Sequence, residues 1–245
     1  MLKAMALNDE TARAWEFMRR ADAAGDSNEP SRLGTAVRDH RVPLRHDSNY
    51  LLVERPASPE EISAELRRLD LPVATVPDES LLMGSMDGAK VQHRGIVMVH
   101  RGEARYPPEP AREVPREWLA PLRRATTLSY PWGSPEVADQ LLRAKAFIED
   151  RLPTRFFAVL DGDEVVACAD LYLDPPDAQI EDVATSPSHR GRGHGTTVVT
   201  TALAAARDAG ADFVFLVADA DDWPKEWYAR LGFETVGSYV KLQRG

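Results

Sequence analysis

From Ile180 the chain runs Ile-Glu-Asp-Val-Ala-Thr-Ser-Pro-Ser-His-Arg-Gly-Arg-Gly-His-Gly, then opens into an Ala- and Val-rich stretch closed by Gly210. No other segment constrains the fold so strongly. The β-rich run Ala178 to Thr185 predicts a strand, Arg190 to Gly195 a basic glycine turn, and Gly193 to Ala209 a helix, in direct succession. Such a turn suits anions. Glycines admit backbone angles that side chains forbid, and the first amides of a helix lack intrahelical acceptors and point outward. The N–H groups of Arg192 to Gly195 are therefore candidates to cradle a pyrophosphate. The spacing is Gly-x-Gly-x-Gly, not the Gly-x-Gly-x-x-Gly of dinucleotide folds, and no Gly-Lys-Ser/Thr follows as in a P-loop. A surface turn without function is the alternative at this point.

Bulk properties narrow the class. Among 245 residues, 43% are hydrophobic and 28% charged, values of an ordinary globular protein, and no apolar run reaches the roughly 20 residues of a membrane span. Met1 to Arg20 lacks the apolar core of a secretory signal, so a cytoplasmic location is expected. The one cysteine, Cys168, excludes an intrachain disulfide and sits in an apolar run, which favours a buried small residue over a reactive thiol. Six scattered histidines have no metal-ligand spacing, and no metal is expected. A net charge of −9 argues against nucleic acid as partner and weakly favours cationic substrates such as amines.

The prolines of Tyr106-Pro107-Pro108-Glu109-Pro110 suggest a semi-rigid connector, giving an N-terminal domain over 1–105, a linker over 106–111 and a C-terminal domain over 112–245. In the first part, Asn8-Asp9-Glu10-Thr11 offers capping residues for a helix running to about Ala23, residues 25–35 read as loop, and Tyr50 to Val53, Val73 to Val76 and Gly95 to His100 read as strands. Pro59 opens a helix to Leu69. In the second, Arg116 to Arg123 and Glu136 to Arg151 are expected helices. Arg155 to Leu160 and Glu164 to Leu173 form a hairpin across Asp161-Gly162-Asp163. Phe213 to Val217 is a buried strand, Trp223 to Leu231 a helix, and Phe233 to Val236 and Tyr239 to Leu242 are two final strands. The class is α+β: a mixed, mostly antiparallel sheet flanked by helices, with a second α/β domain before it.

Arg190, Gly193 and Gly195 fill the Arg/Gln-x-x-Gly-x-Gly/Ala pattern of the GCN5-related N-acetyltransferase (GNAT) superfamily, which this region resembles. Downstream, Tyr228-Ala229-Arg230-Leu231-Gly232-Phe233 is similar to the family's Tyr-x-x-x-Gly-Phe. The likeness is strong from about Phe156 to Val240; the N-terminal half is compatible with a degenerate second copy but carries no such turn. The resemblance implies a GNAT-like fold and transfer of an acetyl or other short acyl group from acyl-coenzyme A to a primary amine of a small molecule or protein. It implies that the strands splay at the fourth strand, where backbone groups of Val183, Ala184 and Thr185 meet the pantetheine arm. Arg190, Gly191, Arg192, Gly193, His194 and Gly195 would hold the pyrophosphate.

Tyr228 is then the candidate general acid for the departing thiolate, against a structural tyrosine packed before the Gly-Phe turn. Glu181 and Asp182 are the candidate bases. Simple alternation gives Glu181 the parity of Val183 and Thr185, so Glu181 is preferred. Either carboxylate has a bland reading as a surface group. Asp221 stands where many relatives carry a cofactor-binding asparagine, and Trp223 and Trp227 read as core in preference to an acceptor pocket. The chief rival function is a silent acyl-coenzyme A sensor or an interaction protein; a homodimer is left open.

Overall fold

The computed structural model describes residues 8–21 and 25–245. In chain order it has helix α1 (Asp9–Arg20), strands β1 (Ser27–Pro30), β2 (Gly34–Arg38) and β3 (Tyr50–Val53), helix α2 (Pro59–Leu69), and strands β4 (Val73–Val76), β5 (Val91–His100) and β6 (Arg112–Glu113). Helices α3 (Ala120–Leu128) and α4 (Pro135–Glu149) follow, then strands β7 (Thr154–Asp161), β8 (Glu164–Asp174) and β9 (Asp177–Thr185). Helix α5 (His194–Asp208), strand β10 (Phe213–Asp219), helix α6 (Pro224–Arg230) and strand β11 (Phe233–Gln243) complete the chain. The pairs β1–β2, β2–β3, β4–β11, β6–β7, β7–β8 and β8–β9 are antiparallel, and β3–β4 and β9–β10 are parallel, so the class is the expected mixed, mostly antiparallel α+β. No helix among the described residues is long and apolar enough to cross a membrane.

Packing separates two compact units, and not by one cut at the Pro-rich segment. One unit comprises residues through Met98 with Val217–Trp227 and Thr235–Gly245; the other comprises Val99–Leu216 and Tyr228–Glu234. The chain end belongs to the first because β11 returns to pair with β4, Val240 opposite Val76 and Gln243 opposite Val73. A linear reading of proline content has no access to that return.

In the first unit the strands run β1-β2-β3-β4-β11-β5. Ser58 and Glu61 cap α2 reciprocally, and Pro59 supplies its first turn. Ile62 and Leu66 are fully buried against Leu51, Val53, Val76 and Leu242. Asn8 caps α1, accepting from Thr11 N–H at 2.8 Å. That helix ends at Arg20, and the expected end at Ala23 lies outside the described residues.

Two expectations need correction here. Residues 25–35 are not loop: Ser27 to Pro30 pairs antiparallel with Thr35 to Arg38. This edge strand is polar and largely exposed, so it carries no alternation to read. The two final strands are one, because Gly237 is a point of close approach, not a break. A Cβ there would meet Thr11 Oγ1 at 2.3 Å, and that hydroxyl donates to the neighbouring Val236 carbonyl at 3.0 Å.

In the second unit the order is β10-β9-β8-β7-β6. The β7–β8 hairpin closes with Asp161 opposite Glu164 and Gly162 at φ +60°, as its Asp-Gly signal requires. Residues 116–123 are a short 3-10 turn, Arg116–Leu119, leading into α3, since Pro121 fits the first turn of a helix beginning at Ala120. Helix α5 packs against β7, β8 and β9, burying Val198, Val199, Ala202 and Ala205.

Candidate active site

The glycine turn sits at the N-terminus of α5. A 3-10 turn, Pro187–His189, separates it from β9, so the strand does not run directly into it. Gly191 and Gly193 have φ of +74° and +84°, which side-chain-bearing residues adopt at a cost of about 1–2 kcal/mol. A Cβ at either would meet nothing within 4 Å, so the glycines are needed for backbone angle and leave open space above the turn. Arg190 Nε donates to the Thr185 carbonyl at 3.4 Å, and Arg192 Nη2 to the Ser188 carbonyl at 3.2 Å. His189 lies 3.1 Å from Asp161 Oδ2 and 2.9 Å from Ser188 Oγ. The turn is thus braced from its flanks at the N-terminus of α5, where the first amides of a helix have no intrahelical acceptor. Glycine backbone, exposed basic side chains and open space fit a pyrophosphate.

Beside the turn, β9 and β10 part. Their register covers only Asp177 to Gln179 against Phe213 to Phe215. Beyond it, Ala184 and Thr185 keep β8 as their ladder partner on one edge, and the β10 register does not extend to them on the other. Strand backbone past the end of such a register can pair with an extended, amide-containing ligand.

Glu181 does not share the face of Thr185. Thr185 opposes Ala167 and Ala184 opposes Cys168, but Asp170 opposes Glu181, so β9 carries one extra residue between them. Asp182 within this bulge takes φ +50°. Directly opposite residues of an antiparallel pair point to one face, which puts Glu181 with Ala184, Cys168 and Asp170. The alternation used to prefer Glu181 therefore fails, because a bulge reverses parity.

Tyr228 near the end of α6 is buried, 8% exposed, with its ring edge-on to Phe233 at 6.0 Å. Burial, reinforced by the charge of Glu181, holds its phenol well above the ordinary tyrosine range. The hydroxyl stays protonated, the state in which a general acid must start. The turn that follows uses Gly232 at φ +91°, where an added Cβ would meet His100 Nε2 at 3.1 Å, and the Gly232 carbonyl accepts from Arg101 N–H at 2.9 Å. Tyr228 thus lies within electrostatic reach of Glu181.

The profile of the Acetyltransferase (GNAT) family matches residues 117–233. Residues 117–233 are a GNAT-family domain. Among solved structures, the GCN5-related N-acetyltransferase from Kribbella flavida superposes with a TM-score of 0.66 at 17% identity, covering 97% of this chain and 96% of that one. A functionally unknown conserved protein from Staphylococcus epidermidis gives 0.68 at 15% identity over 91% and 95%. At these identities the likeness is one of fold. No curated protein has significant sequence similarity to the chain.

Within this GNAT domain, Asp221 is exposed, and its N–H donates to Asp219 Oδ1 at 2.8 Å. Trp223 is 64% exposed and so is not core; Trp227 is half-buried, the two rings 6.2 Å apart. Cys168 is fully buried, and burial pushes its thiol up, away from reactivity.

Sequence reasoning missed a buried polar cluster in the GNAT domain. Asp170 is fully buried and paired with Arg123 of α3 and, at 3.3 Å, with Lys145 of α4. Lys145 also reaches Asp182 and donates to Tyr172 Oη at 2.6 Å. The one available signal was Asp170 itself, a carboxylate inside the apolar run Ala167 to Leu173.

Proposed function

We propose that this chain is an N-acyltransferase that moves an acetyl or other short acyl group from acyl-coenzyme A to a primary amine. The observation that carries the proposal is the conjunction, within the GNAT domain, of the Arg190–Gly195 turn, the end of the β9–β10 register beside it, and a buried Tyr228 within electrostatic reach of Glu181. Backbone groups of Val183, Ala184 and Thr185 bind the pantetheine arm as a third strand would. The turn's amides and Arg190, Arg192 and His194 hold the pyrophosphate.

In the reaction the amine nitrogen bonds to the thioester carbonyl carbon and the carbon–sulfur bond breaks. Glu181 takes the amine's proton, directly or through water, and Tyr228 supplies a proton to the departing sulfur. Proton return from Glu181 to Tyr228, or exchange with solvent, restores both groups. The acceptor is a small-molecule or protein amine, and the chain's net charge of −9 favours one that is cationic in solution.

The test is the Tyr228→Phe variant. Its kcat is expected to fall about 100-fold, the lower range for a lost general acid, while coenzyme A binds as in the unaltered protein. Coenzyme A binding with no amine-dependent turnover in the unaltered protein would support a sensor instead.

A further inference from the structure

Gln179 lies two residues before Glu181 on β9, on the same face, opposite Tyr172. It is 2% exposed, and its Nε2 donates to Glu181 Oε2 at 2.6 Å. Its Oε1 is buried and accepts no hydrogen bond among the described residues. An unsatisfied buried acceptor is destabilising. Turning the amide over would set two acceptors against each other, so the Glu181 contact fixes this orientation. The same amide can serve both protonation states of its neighbour. Its NH2 group donates to the carboxylate, and after a flip its Oε1 accepts from the carboxylic acid.

We infer that Gln179 is a positioning residue for the reaction, holding Glu181 against the bulge in its ionised form and receiving its hydrogen bond once the carboxyl has taken the amine's proton. The inference rests on the reading of Glu181 as the base. Other charged and titratable groups reach this corner of the sheet. Tyr228 of α6 lies within electrostatic reach of Glu181. Asp170 faces it from β8, already paired with Arg123 of α3 and Lys145 of α4. Asp182, next in sequence, is engaged by Lys145. Lys145 thus also ties down the residue at φ +50° that sets which face Glu181 takes. The amide of Gln179 makes a direct hydrogen bond to the Glu181 carboxylate.

The test is the pH profile of kcat/KM for an acceptor amine at saturating acyl-coenzyme A, with thermal midpoint and coenzyme A affinity measured for each variant. Gln179→Glu places two carboxyls where one proton must be shared, and the acid limb is expected to move up by about one pH unit or more. Gln179→Met, similar in length but without the amide, is expected to lower kcat about tenfold with coenzyme A affinity unchanged. It decides the matter if the glutamate variant does not fold. Glu181→Gln separates the two ideas. If it abolishes the acid limb while both Gln179 variants keep the original limb and kcat, the role of Gln179 is refuted and the base stands. If Glu181→Gln keeps the limb, the base itself is wrong, and this inference falls with it.

Discussion

Gly193 and Gly210 make a matched pair at the two ends of α5. Both hold left-handed backbone, φ +84° and +89°, and at both an added Cβ would meet nothing within 4 Å. Alanine at either site therefore introduces no clash, only the backbone penalty of about 1–2 kcal/mol. For a chain of this size that corresponds to a fall in thermal midpoint of roughly 2–8 °C. The two variants are expected to lose similar stability. They differ in what lies above the glycine. At Gly193 the open space is where the proposed pyrophosphate approaches the first amides of α5, and losing one backbone hydrogen bond to a charged group costs about 1.5–3 kcal/mol. Gly193→Ala should then weaken coenzyme A about 10- to 150-fold, while Gly210→Ala leaves affinity within about twofold. Calorimetric titration with thermal melts of both proteins reads the two effects apart. Equal affinity in the two variants, with stability lost as expected, would refute the assignment of the turn.

Further outcomes follow from the same geometry. Because burial and Glu181 raise the Tyr228 phenol, the kcat/KM profile should show no falling limb near pH 10, where an unperturbed tyrosine ionises; such a limb, absent in Tyr228→Phe, would contradict the burial argument. Cys168, buried and with its thiol pushed up, should react with a thiol-specific disulfide reagent only after denaturant is added, so native protein gives no background in a thiol-release assay. Glu65 is fully buried, and Arg68, with Arg32, holds its carboxyl down at about 2. A depressed carboxylate contributes stability present above the unfolded value near 4.3 and lost as pH falls toward 2. Glu65→Gln should therefore lower the thermal midpoint at pH 7 and flatten its fall between pH 4 and 2.

Much of this was legible because particular residues leave little choice. The Asp-Gly pair at 161–162 dictated a hairpin, Ser58-Pro59 with Glu61 a helix start, and Arg190 to Gly195 a strand-to-helix turn. What escaped depends on contacts distant in sequence. Strand β1 is held by backbone pairing with no apolar signature, and Gly237 is small because Thr11 of α1 approaches it. The bulge at Asp182 defeated the parity argument, since one residue held at φ +50° moves Glu181 to the other face. The cluster of Arg123, Lys145, Asp170 and Asp182 joins two helices to two strands, a meeting no linear pattern announces.

The central claim is tested most directly by the initial rate of thiol release from acetyl-coenzyme A across a panel of primary amines. Release that saturates with acetyl-coenzyme A and rises with at least one amine is the expected result. A rate no higher with any amine than with buffer alone, in protein that also fails to bind coenzyme A, would contradict the account.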